Sequence, residues 1–175
     1  MVIQLPNPHP LTIELAQTLA CSLILSRIDY CNAVLHGTPS GTIHKLQCVQ
    51  NNNATRIVHQ APRRSHVVCL LLKELHWLPV EQRISYKLAM QTFKIWQTSA
   101  LAYLSRHITA RSGTRSLPSS LLDAPFRRTD IVKRSFNCAA PTTWNSLPPH
   151  VVNFYTFSLF KSNLKLTCLI LYRAS

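Results

Sequence analysis

Between Ser26 and Gly37 the chain reads SRIDYCNAVLHG, which brings a carboxylate, a phenol, a thiol and an imidazole close together at Asp29, Tyr30, Cys31 and His36. A thiol becomes a nucleophile when a neighbouring base takes its proton or a positive environment lowers its pKa. The apolar period around these residues points to a structural role instead. Ile13, Ala16, Ala20, Ile24, Ile28, Cys31 and Leu35 recur at intervals of three and four, which is one face of a helix. Thr12 suits its N-cap, Glu14 its first turn and Gly37 its end, so the pattern predicts a helix over 13–36. Cys31 lies on the apolar stripe and is expected as a small core residue. Asp29 lies off it and is expected to pair with a nearby base.

Other reactive groups are too scattered to form a recognisable site. The acidic residues are Glu14, Asp29, Glu74, Glu81, Asp123 and Asp130, with no adjacent pair. Two-metal polymerase or nuclease chemistry needs clustered carboxylates, and that class is excluded. There is no GxxxxGK[ST] loop, GxGxxG fingerprint, HExxH or GxSxG elbow, and the 8 histidines stand singly. The 6 cysteines, at 21, 31, 48, 69, 138 and 168, include no CxxC pair, which argues against a structural zinc site. The opening MVIQLPNPHP lacks the basic start and apolar run of a secretory leader. Free thiols in a reducing compartment are therefore expected. The sequence predicts no enzyme, no metal, no cofactor and no small-molecule substrate.

Charge is the strongest compositional signal. Lys and Arg number 19 against 6 Asp and Glu, a formal net charge of +13. Such an excess favours a polyanionic partner. An RNA or DNA backbone is the principal expectation, while an anionic membrane surface and non-specific attraction stay open. No run reaches the eighteen or so apolar residues of a membrane-spanning helix; the longest candidates are LACSLIL at 19–25 and LTCLILY at 166–172.

The remaining elements follow from period and punctuation. With 46% hydrophobic residues and only 3 glycines, the chain suits helices better than a hairpin-rich barrel or sandwich. A second helix is predicted over 42–59, weakened by the Asn51, Asn52, Asn53 run and ended by Pro62. Arg63 and Arg64 follow in a connection that suits a phosphate contact or plain solvation equally well. A short helix fits 67–77, and Pro79 suits the first turn of a fourth that runs to about 97. In that helix Ile84, Leu88, Thr92 and Ile95 form a row, with Ala89, Phe93 and Trp96 beside it. His76 and Trp77 could make a stacking platform for a base, but Trp77 reads more simply as a core plug.

Between 106 and 150 the sequence is rich in Ser, Thr, Pro and Arg, and loops with short extended segments are predicted. Positive charge gathers there at Arg106, Arg111, Arg115, Arg127, Arg128, Lys133 and Arg134, opposed only by Asp123 and Asp130. Of these, Arg111, Arg115, Arg127, Arg128, Lys133 and Arg134 are the predicted phosphate contacts. A closing amphipathic helix has Thr156 as N-cap, with Phe157, Phe160, Leu164, Cys168 and Leu171 on one side and Lys161 and Lys165 facing out.

Several longer strings carry a family resemblance. LSRIDYCNAVLHG at 25–37, KLQCVQNNNATRIV at 45–58, LKELHWLPVEQRISYKLAMQTFK at 72–94, FNCAAPTTWNSLPPHV at 136–151 and FSLFKSNLKL at 157–166 resemble the C-terminal region of non-LTR, LINE-type retrotransposon polyproteins. The resemblance runs from about residue 11 to the end, with its blocks in family order. It implies a region that follows the endonuclease and reverse transcriptase palm, within or beyond the thumb that holds template and primer. The family's catalytic aspartates, in a YADD or FADD motif, have no counterpart here, and neither does its Cys and His knuckle, so no catalytic residue carries over. NNNATRIV and APRRSHVVC depart from the family pattern and suggest drift after loss of function.

The expectation is a mainly α unit with a disordered stretch at 1–10, a helical region at 11–105, an irregular basic segment at 106–150 and a C-terminal helix at 151–175. Its expected function is that of a non-catalytic, reverse transcriptase-derived fragment that binds nucleic acid through a basic surface. The alternative is a decayed reading frame with no selected role and no autonomous fold. The expected setting is intracellular, in nucleus or cytoplasm; the oligomeric state is not specified by the sequence.

Overall fold

The apolar row predicted between Ile84 and Ile95 becomes the spine of the fold. The computed structural model describes residues 12–52, 58, 68–98, 102–111, 121–153 and 156–174, and the statements below concern those residues. The protein is mainly α, and the one β feature described is an isolated antiparallel bridge between Ala110 and Leu122.

Chain order runs α1 (Ile13–Leu19), a π-helical segment (Ala20–Leu25), α2 (Ser26–Asp29), a 3-10 turn (Asn32–Leu35), α3 (Ser40–Asn52), α4 (Val68–Glu74) and α5 (Val80–Thr98). There follow α6 (Ala102–Ser105), α7 (Asp130–Lys133), α8 (Phe136–Asn145), α9 (Pro149–Val152) and α10 (Phe157–Ala174). Helix α5 touches α2, α3, the 3-10 turn, α6, α8 and α10. Two sides of it close two cores. Val80, Ile84 and Leu88 join Ala20, Leu25, Ile28, Leu72, Leu75 and Trp77, while Ala89, Phe93 and Ile95 join Leu78, Leu122, Trp144, Phe160, Leu164 and Cys168. Each large apolar side chain withdrawn from water in this way contributes about 1.5–3 kcal/mol. Trp96, expected beside the buried row, is exposed.

The first predicted helix is cut into pieces, for two physical reasons. Thr12 caps α1 as expected, its side chain accepting from the Leu15 N–H. Through the π segment the chain advances more residues per turn, so the buried positions run Ala16, Ala20, Leu25 and Ile28. Leu25 thereby takes the place expected of Ile24, which is half-buried. The helix then stops at Asp29, since Tyr30 is extended (ψ 117°) and Cys31 is left-handed (φ 53°). Cys31 therefore leaves the stripe and is exposed, which corrects its expected core placement, and Asn32 is buried instead. The helix thus ends well before the stop expected at Gly37, which instead follows the 3-10 turn at φ 68°, a region that glycine enters without steric cost.

Helix α3 begins at Ser40 and is described to Asn52; the rest of the predicted 42–59 helix lies outside the described residues, apart from the buried Val58. Helix α4 ends in a Schellman turn. The Trp77 N–H donates to the Leu72 carbonyl at 2.8 Å and the His76 N–H to that of Lys73 at 3.1 Å, with His76 in the left-handed position (φ 53°) that glycine usually fills. This turn inserts Trp77 into the core beside Leu72, as the core-plug reading expects. His76 is left exposed, so the pair makes no stacking platform. Pro79 directly precedes α5, and its carbonyl accepts from the Arg83 N–H at 2.9 Å.

The basic segment departs most from expectation. It is irregular at 121–129 but helical from Asp130, with α7, α8 and α9 replacing the predicted loops. Helix α8 forms despite Pro141 in its interior, where the missing N–H costs one helical bond. Its buried face, with Cys138, Ala139, Ala140 and Trp144, packs on α5 and outweighs that loss. Helix α10 shows the predicted stripe, with Phe160, Leu164 and Cys168 buried and Lys161 and Lys165 exposed. It occupies Phe157–Ala174, so the expected 151–175 helix is in fact a short α9 followed by α10; the Leu171 side chain lies outside the described residues. No described helix is long and apolar enough to cross a membrane.

Candidate nucleic-acid interface

Arg111, Arg127 and Arg128 are carried on irregular backbone anchored from beneath. The Arg111 N–H donates to the Leu121 carbonyl and the Asp123 N–H to that of Thr109, both at 2.9 Å, which joins the two stretches around the Ala110 and Leu122 bridge. Asn145 of α8 then grips Leu122 from both sides: its Oδ1 accepts from the Leu122 N–H and its Nδ2 donates to the Leu122 carbonyl, each at 2.9 Å. The Cys138 thiol donates to the Pro125 carbonyl at 3.8 Å. Beyond that anchor the chain emerges at Phe126, which is 86% exposed, beside exposed Arg127 and Arg128. Sequence reasoning found the two arginines and missed the aromatic ring between them and the anchor, because an isolated Phe reads as core.

The other predicted contacts behave differently. Lys133 donates to Asp130 at 2.9 Å across one turn of α7, and this hydrogen bond and charge hold the exposed Asp130 carboxyl below its ordinary pKa. Arg134 is half-buried, and its stem lies so close to Gly37 that a Cβ there would come within 3.0 Å of Arg134 Cγ. Arg115 lies outside the described residues. Among the described residues Arg111, Arg127 and Arg128 are exposed and make no ion pair, whereas Lys133 and Arg134 are engaged internally.

The SRIDYCNAVLHG residues do not converge on a reacting centre. Asp29 accepts from Arg83 Nη1 at 2.7 Å, as its expected structural role requires. Arg83 Nε and Gln50 Nε2 both donate to the Leu78 carbonyl at 2.8 Å, and Gln47 Oε1 accepts from the Val80 N–H that opens α5, also at 2.8 Å. Cys31 edges an apolar cavity of about 470 Å³ with Val34, Leu88, Leu104 and Phe136. His36 faces a separate hollow with Gly37, Asp130 and Arg134, and burial lowers its pKa. The described cysteines, Cys21, Cys31, Cys48, Cys138 and Cys168, are free thiols. Cys48 touches His44 at 3.5 Å on the exposed side of α3, but neither residue lines the cavities described here. Among the described residues no three His, Cys, Asp or Glu side chains gather as metal ligands would.

A larger groove of about 720 Å³ runs between the N-terminal helices and α10, with α5 beneath it. Lys87, Lys161 and Lys165 line it, together with the Arg83 and Asp29 pair. No single stretch of sequence announces this arrangement. Lys161 and Lys165 read as a solvated helix face, and only the packing of α10 on α5 brings them opposite Lys87.

These features define a mainly helical, strongly basic protein with an aromatic and arginine tip at one place and a lysine-lined groove at another. No family model, no curated protein and no solved structure matches the chain.

Proposed function

We propose that the protein is a non-catalytic nucleic-acid-binding module, related to the C-terminal region of a LINE-type reverse transcriptase, that contacts the phosphate backbone and an exposed base through Arg111, Phe126, Arg127 and Arg128. The observation that carries this reading is the exposed Phe126 ring followed directly by exposed Arg127 and Arg128 on an anchored loop. Single-strand binders combine these two elements, since an aromatic face stacks any base while cations follow the backbone. The formal charge of +13 supports attraction to such a polyanion over distance. The family part of the proposal rests on the order of the resembling blocks.

The test is titration of the full chain with labelled single-stranded RNA and with a template-primer duplex across a salt series. Phe126→Ala is expected to cost about 1–3 kcal/mol of single-strand binding, the contribution of one stacked base. Arg127→Glu with Arg128→Glu is expected to weaken binding at least about tenfold and to flatten the salt dependence. Unchanged affinity in both variants would overturn the assignment.

A second reading, a decayed reading frame that does not fold without lost upstream domains, draws on apolar side chains left in solvent, including Leu23 (64% exposed) and Val34 (69%). Exposed apolar surface favours association and aggregation. A sharp melt of a soluble monomer would dispose of that reading.

A further inference from the structure

We propose that the groove between the N-terminal helices and α10 is a second, separate nucleic-acid seat, which holds a single strand by its phosphodiester backbone. Lys161 and Lys165 stand one turn apart on α10, and Lys87 faces the same groove from α5. Among the described residues none of the three is ion-paired. The one carboxylate lining the groove, Asp29, is held by Arg83 at 2.7 Å. Three ammonium groups thus share one concavity without compensation. Like charges four residues apart on a helix repel, and a bound anion relieves that repulsion.

Shape selects the kind of anion. A groove of about 720 Å³ has the scale of a site for a compact ligand, enough for a short stretch of single strand and too small for a duplex. The rise of a helix sets Lys161 and Lys165 about 6 Å apart along the axis, the scale of successive phosphates in an extended strand. Leu25, Trp77, Tyr86 and Met90 provide apolar wall beside them, against which sugars and base faces can lie. A flat anionic bilayer reaches the exposed lysine tips of α10 but not the half-buried Lys87.

The proposal relies on the nucleic-acid reading above only for its choice of polyanion; the charge of the groove is independent of it. The experiment titrates the full chain with a labelled oligothymidylate strand, with inorganic pyrophosphate as competitor and phosphatidylserine vesicles as a parallel arm. The variants are Lys161→Ala with Lys165→Ala, Lys87→Ala, and Arg127→Glu with Arg128→Glu, each checked for an unchanged thermal melt. The expected result is about tenfold weaker strand binding in the α10 pair, with a salt slope shallower by about 1.4, corresponding to two phosphate contacts on a single strand. Lys87→Ala is expected to act in the same direction. Strand binding that is lost on arginine reversal yet untouched by the lysine variants would overturn the groove and leave the proposed function standing. Loss in the lysine variants alone would support the groove and remove the Phe126 loop. Full displacement by pyrophosphate at concentrations that match the strand, or vesicle binding that alone depends on the lysines, would overturn the strand in favour of a free phosphate or a membrane. No binding by the intact chain would remove both readings.

Discussion

The two cores that meet on α5 are built on different principles. On the N-terminal side aliphatic residues such as Leu25, Ile28, Leu72 and Ile84 pack around Trp77, and a polar latch secures them: Asp29 on Arg83, and Arg83 with Gln50 on the Leu78 carbonyl. On the C-terminal side Phe93 stacks on Phe160 with ring centroids 4.2 Å apart, and Trp144 lies 5.8 Å from Phe160. Aromatic burial supplies stability without a strict demand on direction. A latch of charged and amide groups contributes less net energy but accepts few arrangements. Helix α5 is thus held by its aromatic side and oriented by its latched side.

The largest expected effect is on the aromatic side. Phe160→Ala removes a fully buried ring that contacts both Phe93 and Trp144, and a loss of about 3–5 kcal/mol is expected in denaturant unfolding. A loss below about 1 kcal/mol would mean that the aromatic core is not the stronger half.

An intermediate effect is expected on the latch. Asp29→Ala leaves Arg83, whose side chain is only 13% exposed, without its anion, at a cost of about 1–3 kcal/mol. Replacing both Asp29 and Arg83 should cost less than the sum of the single changes, and a double-mutant cycle reads that coupling. Strict additivity would show that the pair is a bystander.

The smallest effects are expected from pH, at one group outside both cores and one inside the aromatic core. Burial lowers the His36 pKa below its ordinary value of 6.5. Its contribution is undiminished above pH 6.5 and falls as pH drops below that value, where the unfolded chain takes up the proton first. The Cys168 thiol is pushed up from 9.0 to about 11 by burial. Stability on that side is undiminished below pH 9.0 and falls as pH rises toward about 11, because the unfolded thiol ionises first. Melting temperatures across pH should therefore lose part of their acid slope in His36→Gln and part of their alkaline slope in Cys168→Ala. Identical slopes in variant and parent would remove the distinction.

What was legible in the sequence was whatever a regular period could express. The α5 row, the α10 stripe and the Thr12 cap appear where spacing and side-chain chemistry place them. The break at Tyr30 and Cys31 was hidden because no glycine or proline marks it, and a non-glycine residue in the left-handed region leaves no signature in composition. Helix α8 was hidden by Pro141, whose penalty is visible in sequence while the burial that offsets it is not. Of the candidate site, the arginines were legible as charge; Phe126 and the convergence of Lys87 with Lys161 and Lys165 depend on contacts between distant segments.

The sharing of one helix by both cores has a consequence for synthesis. A chain emerging N-terminus first can close most of its aliphatic half as soon as α5 is complete, since all of that half except Phe136 and Ala139 of α8 precedes the end of α5. The opposite side of α5, with Ala89, Phe93 and Ile95, must then wait for α8 and α10. During that interval a nascent protein presents a bare apolar stripe, the kind of surface that chaperones bind and that aggregation exploits. Translation speed across the stretch between α5 and α10 therefore sets how long the chain is vulnerable.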